Sequence, residues 1–399
     1  MTFSLLALVV LVGLLGPLLA ARASWRIPVV AGELAAGLLI GESGLGWVDP
    51  HADAFALLAN IGFGLTMVVV GSRIPVRDAA VRASIGRGVI GALLVGVVAA
   101  GLAVAVAAGL GTGHAALYGI LIASSSAALV LPMLQSAGVP GGSIAQVVAQ
   151  IAIADLACIV ALPLILNPGH VPEVALSGLI IAVIAVALAF GLIALDRTGL
   201  RRRLHAFSES RRFALELRIS LLLLFTLAAI AEVASVSVMI AGFALGLVLA
   251  AAGEPRRLAR QLFGITEGFF GPLFFVWLGA SIDVRGVAEH PGMILLGVAL
   301  GASAVLAHLA GRVAGLPWVQ AVASAGQLGV PVAAVTLGIQ TGVLRPGEDA
   351  GILLGALITV AVAAVATGMA ARPAGTHRAV APGTGTERAA RRRRGDRAL

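Results

Sequence analysis

Thirteen apolar stretches follow one another along this chain, most of them near 20 residues long. A hydrocarbon core about 30 Å thick takes roughly 20 residues of helix to cross. Within lipid every backbone N–H and C=O must be bonded inside the protein, so only helices and closed barrels span it. These runs are continuous rather than alternating, which predicts helices. The fold class is therefore an all-α polytopic membrane protein with about 13 transmembrane helices. The predicted spans 1 to 13 are 2–21, 27–41, 53–71, 87–110, 114–135, 143–166, 173–195, 214–232, 235–252, 262–282, 291–314, 317–342 and 350–371. Only Ala234-Ser235 separates spans 8 and 9. A composition of 59% hydrophobic and 12% charged residues agrees, since soluble domains carry about a quarter charged.

Every basic residue is arginine; the chain has no lysine. Arginines cluster after spans 1, 3, 7 and 9, at the end of span 11, and in the tail from Arg372 to Arg397. All of these loops fall on one side. Only Arg285 and Arg345 fall on the other. Cationic loops stay in the cytoplasm, which predicts an outside N-terminus and a cytoplasmic C-terminus. The net charge of +8 then reflects topology and a surface facing anionic lipid, and no nucleic acid is needed to explain it. "ARA" at 21–23 resembles a signal-peptidase site. The start lacks a basic segment and the apolar run is too long, so a retained first span is expected. The single cysteine, Cys158, allows no internal disulfide and is expected to pack.

Two halves of the chain echo each other. "LTMVVVGSRIPVRD" at 65–78 matches "LFFVWLGASIDVRG" at 273–286, with Gly71 against Gly279. Span 2, "VVAGELAAGLLIG", matches span 9, "VMIAGFALGLVLA". Span 5 carries "ASSSAALVLP" and span 12 "ASAGQLGVPV". Spans 1–6 thus resemble spans 8–13, with span 7 as linker. The halves lie seven spans apart, an odd number, so they have opposite orientation. Inverted repeats with a site near the midplane are a transporter signature.

Span 6, "SIAQVVAQIAIADLACIVALPLIL", has a single charge, Asp155, near its centre. A carboxylate there costs about 2.5–3.5 kcal/mol to insert, and such residues serve ion or proton paths. Asp155 can hold either a proton or a cation. Span 5 offers Ser124, Ser125 and Ser126 ahead of Pro132. Proline frees a carbonyl, and carbonyl and hydroxyl oxygens are hard donors suited to an alkali cation. Span 12 mirrors this with Gly326, Gln327, Gly329 and Pro331. Gln327, Gln150 and Glu33 are taken as supporting residues. Glu216, Glu232 and Glu267 lie near span ends, where interface placement or arginine pairing is expected. His308 in span 11 has the chemistry of a proton relay, but a satisfied packing histidine is the expected reading.

"IPVVAGELAAGLLIGESGLG" at 27–46, "GPLFFVWLGASID" at 271–283 and the span 6 aspartate resemble the monovalent cation:proton antiporter superfamily, in particular its potassium-efflux-like branch. The resemblance covers about residues 1–372. It implies a sodium/proton antiporter-like fold, two inverted six-helix repeats around two crossed broken helices, working as a dimeric elevator. It implies that Asp155 binds the cation and the proton in turn. This chain departs from the pattern at Ala154, where a second polar residue is common, and at Gln327, where glutamate is common. It has serines where threonine is frequent and no lysine as a buried counter-ion.

The expected function is exchange of Na+ or K+ for H+ through Asp155, with Ser124, Ser125 and Ser126 completing coordination. No cofactor, resident metal or catalytic residue is expected. The domains are 1–372 as the exchanger and 373–399 as a disordered arginine-rich cytoplasmic tail. Expected partners are the transported ions, membrane lipid and a second copy of the chain, in the cell membrane. A non-transporting sensor or scaffold, an intramembrane enzyme and a sodium-coupled organic-anion carrier are the alternatives. The intact Asp155 argues against the scaffold. The lack of a nucleophile–base pair argues against the enzyme, and Ala154 against the rich sodium sites of the carrier.

Overall fold

The structure is a computed structural model describing residues 2–21, 29–74, 76–136, 141–198, 214–233, 238–253, 256–282 and 289–370. The expected disordered tail at 373–399 and the Ala234-Ser235 junction lie outside these residues. Among the described residues all regular structure is helical. Eight helices among them are long and apolar enough to cross a membrane. Val29–Ile40, Val238–Ala252 and Gly329–Thr341 are shorter apolar helices. The apolar runs and the helices coincide closely: span 6 is Gly141–Leu166, span 7 is Val171–Arg197, and span 13 is Glu348–Ala370.

Four spans are interrupted among the described residues. Span 1 divides into Phe3–Gly13 and Leu15–Ala20, and Thr2 caps its start by accepting the Leu5 N–H at 3.3 Å. Span 10 runs through Arg256–Ile265, a π-helical turn at Thr266–Phe270, and Gly271–Ala280. Pro272 has no N–H to continue the ladder. The Gly271 N–H just before it reaches back five residues to the Thr266 carbonyl. Span 5 breaks between Ala115–Ala123 and Ala127–Ser136, and span 12 between Trp318–Ala323 and Gly329–Thr341.

The helices sort into two packed groups. Spans 2, 3, 9 and 10 pack tightly on one another, with spans 1, 7 and 8 against them. Spans 4, 5, 6, 11, 12 and 13 form the second group. The first group is joined by glycines at which backbone meets backbone. A Cβ at Gly71 would lie 2.5 Å from the Phe243 carbonyl oxygen, and one at Gly246 would lie 2.3 Å from that of Val68. A Cβ at Gly279 would lie 2.2 Å from the Leu34 oxygen, and one at Gly37 would lie 2.0 Å from that of Val276. The second pair of contacts is the first with each position moved 208 or 209 residues along the chain. Span 3 against span 9 therefore repeats span 10 against span 2. The internal symmetry read from the sequence is present in the packing. Small residues allow this close approach, which in lipid takes the place of hydrophobic driving force.

Candidate functional site

Asp155 sits in the middle of the span 6 helix and is 5% exposed. That helix packs against span 4, both halves of span 5 and the second half of span 12. The break in span 5 turns toward it. The last helical bond of the first half runs from the Ser124 N–H to the Ile120 carbonyl, 2.9 Å. Ser124 then adopts an extended conformation, φ −72° and ψ 159°. This releases the Ser125 N–H from the ladder, and it donates to Asp155 Oδ1 at 3.3 Å. The Ser126 carbonyl starts the second half by accepting from the N–H groups of Leu129 and Val130.

The serine hydroxyls point elsewhere. Ser125 Oγ lies 3.0 Å from His308 Nε2, and His308 Nδ1 lies 2.8 Å from the Ala304 carbonyl. Ser124 Oγ lies 3.0 Å from the Leu121 carbonyl and in close contact with Gln327 Oε1. Gln327 belongs to the non-helical stretch of span 12, where its N–H donates to Thr359 Oγ1 at 3.3 Å. The two breaks thus meet at Ser124 and Gln327, and they do so beside Asp155. An acid, a backbone N–H, two serine hydroxyls and an amide oxygen thus lie together in a buried place. This donor set suits a bare monovalent cation or a proton on the carboxylate.

The remaining expected residues are placed differently. The Ser126 hydroxyl makes no hydrogen bond among the described residues; the bonds seen at Ser126 are those of its carbonyl. Gln150 is 1% exposed, yet its Oε1 meets no hydrogen-bond partner among the described residues. Its amide fills the space beside Gly91 and Gly311, away from the serines. Leaving such an oxygen unsatisfied costs about 1–3 kcal/mol. Glu33 is buried against Gly16, in a helix that packs on spans 1 and 10. It belongs to the group of helices that excludes Asp155. Glu267 pairs with Arg73 at 2.7 Å, as its place near a span end led one to expect. Cys158 is buried, and its Sγ faces the Ile120 carbonyl at 3.6 Å.

One cluster was not foreseen. Glu348, fully buried at the start of span 13, accepts from the Tyr118 hydroxyl at 2.6 Å and the Arg345 N–H at 2.8 Å. The His114 ring nitrogen Nδ1 lies 2.7 Å from it. In sequence Glu348 reads as an ordinary acid in a first helical turn.

Inverted repeats, two broken helices that meet each other, and an acid beside their meeting point are the architecture of secondary transporters. The family described as sodium/hydrogen exchanger, transmembrane, matches residues 6–374. The chain belongs to this family. It is 22% identical to the Na(+)/H(+)-K(+) antiporter GerN of Bacillus cereus over 291 residues, covering 71% of this chain and 72% of GerN. It is 28% identical to the glutathione-regulated potassium-efflux system protein KefC of Salmonella typhi over 296 residues, covering 72% of this chain and 47% of KefC. The match thus spans about half the length of that relative. The fold is that of the sodium proton antiporter MjNhaP1 from Methanocaldococcus jannaschii, with TM-score 0.59 and 19% identity over 91% of this chain and 96% of that one.

Proposed function

We propose that this multi-pass membrane protein exchanges a monovalent cation, Na+ or K+, for H+ across the cell membrane, with Asp155 as the shared site. The observation that carries this reading is the turning of the span 5 break toward Asp155, with the Ser125 N–H on Oδ1. Asp155 holds a proton or a cation, never both. The ionised carboxylate gives the cation its counter-charge, and the oxygens of Ser124 and Ser125 with nearby carbonyls replace part of its water. When the cation leaves, a proton returns to the same oxygen. The site is neutral in both loaded forms, so the exchange is one for one and electroneutral. The names of GerN and KefC, which cite Na+, K+ and H+, support the choice of ions. The arginine distribution supports an outside N-terminus and a cytoplasmic C-terminus, and the working form is a homodimer in contact with membrane lipid.

Asp155→Asn tests the reading. It keeps the shape of the side chain and removes both the titrating proton and the charge. Cation-driven proton flux in proteoliposomes should fall to background while the variant still inserts. Flux at the wild-type rate would reject Asp155 as the exchange site.

A further inference from the structure

We infer that His308 is a positioning residue for cation binding: it holds the Ser125 hydroxyl proton so that the Ser125 oxygen turns its lone pairs toward the ion. The inference rests on the reading of Asp155, Ser124 and Ser125 as the exchange site.

The geometry fixes which ring nitrogen does this. His308 is 1% exposed, and its Nδ1 lies 2.8 Å from the Ala304 carbonyl. A carbonyl has no proton to give, so Nδ1 carries one. The neutral ring then has Nε2 as an acceptor, and the group in front of Nε2 is the Ser125 hydroxyl at 3.0 Å. The hydroxyl proton points at the ring. A cation needs the other side of that oxygen; a hydroxyl whose proton faces the ion repels it.

Ser124 repeats the device. Its hydroxyl has one proton and two neighbours within reach, the Leu121 carbonyl and Gln327 Oε1. Both are acceptors. The site therefore turns the proton of each serine toward a neighbouring acceptor and leaves lone pairs of that oxygen for the ion. At Ser124 the acceptors are carbonyl oxygens, which cannot do otherwise. At Ser125 the acceptor is a ring that must be held in one tautomer, and the Ala304 carbonyl holds it. Span 11 supplies His308 and the other repeat half supplies Ser125, so two distant parts of the chain build one ligand.

The test compares His308→Leu, which removes the acceptor, with His308→Gln, whose terminal amide stands where Nε2 stood. Apparent KM values for Na+ and K+ and maximal rates are read in proteoliposomes. His308→Leu should raise the cation KM about tenfold, the scale of one lost hydrogen bond, with the maximal rate within about twofold. His308→Gln should return KM to within about threefold of wild type. Adding His308→Leu to Ser125→Ala should raise KM no further, because both act through one oxygen. A wild-type KM in His308→Leu, an equal defect in His308→Gln, or additive effects in the double variant would overturn the inference. If His308→Leu fails to insert, His308→Asn replaces it: the shorter amide stops at the Nδ1 position and should leave KM raised, and equality with His308→Gln overturns the claim. Ser125→Ala alone separates the two layers. A wild-type KM there rejects Ser125 as a ligand altogether. A raised KM there, with His308→Leu silent, rejects only the role of His308.

Discussion

Glu348 is the most enclosed acid among the described residues, and its three donors account for that. A carboxylate offers acceptors only, so a tyrosine hydroxyl, a histidine N–H and a backbone N–H suit it. Glu348→Gln keeps the shape and weakens all three bonds. We expect a loss of about 1.5–3 kcal/mol, seen as a lower thermal midpoint in detergent, with the cation KM unchanged. Ser124→Ala should do the reverse: the apparent cation KM rises while the thermal midpoint holds. Asp155 was legible because a charge inside an apolar run is visible to one-dimensional inspection. Glu348 was not, because its meaning lies in Tyr118 and His114, more than two hundred residues earlier. Gln150 and Asp155 share one helix. Five residues turn a helix by about 140° beyond a full turn, so the two side chains leave on different faces.

At the scale of helices, the glycine joints carry a sharp expectation. Gly246→Val places a Cβ 2.3 Å from the Val68 oxygen, which is backbone and cannot swing aside. Spans 3 and 9 must separate, at a cost of about 3 kcal/mol or more. Gly37→Val should cost about as much, since its contact is the repeat of the first. Gly101→Ala, in the long span 4 helix, meets nothing within 4 Å and should be neutral or stabilising by about 0.5–1 kcal/mol. Thermal midpoints of the three variants in one detergent check the contrast. The apolar runs were readable because bilayer thickness sets their length. The breaks at Ser124–Ser126 and Gly326–Leu328 were readable from serine, glycine and proline. The π-helical turn at Thr266–Phe270 was not: Pro272 announces a disturbed ladder, while the choice between a kink and a widened turn is made by the neighbours that pack on it.

For the whole molecule, the division into two helix groups bears on charge movement. Asp155 lies in one group and Glu33 in the other. If the Asp155 group moves as a unit, Asp155 is the one acid at the broken helices that moves with it, neutralised by either a proton or a cation, while Glu348 keeps its own three donors throughout. Exchange rates should then be unchanged by a 100 mV step, which would supply about 2.3 kcal/mol per moving charge. Flux under clamped voltage in proteoliposomes checks this; a measurable current would show that a second charged group takes part in the movement. The joints between spans 2, 3, 9 and 10 have a further consequence. Backbone against backbone has no rotamers to freeze and no charges to screen. Such a frame keeps its strength in acid and in brine alike, and those are the two conditions that a cation–proton exchanger changes around itself with every cycle.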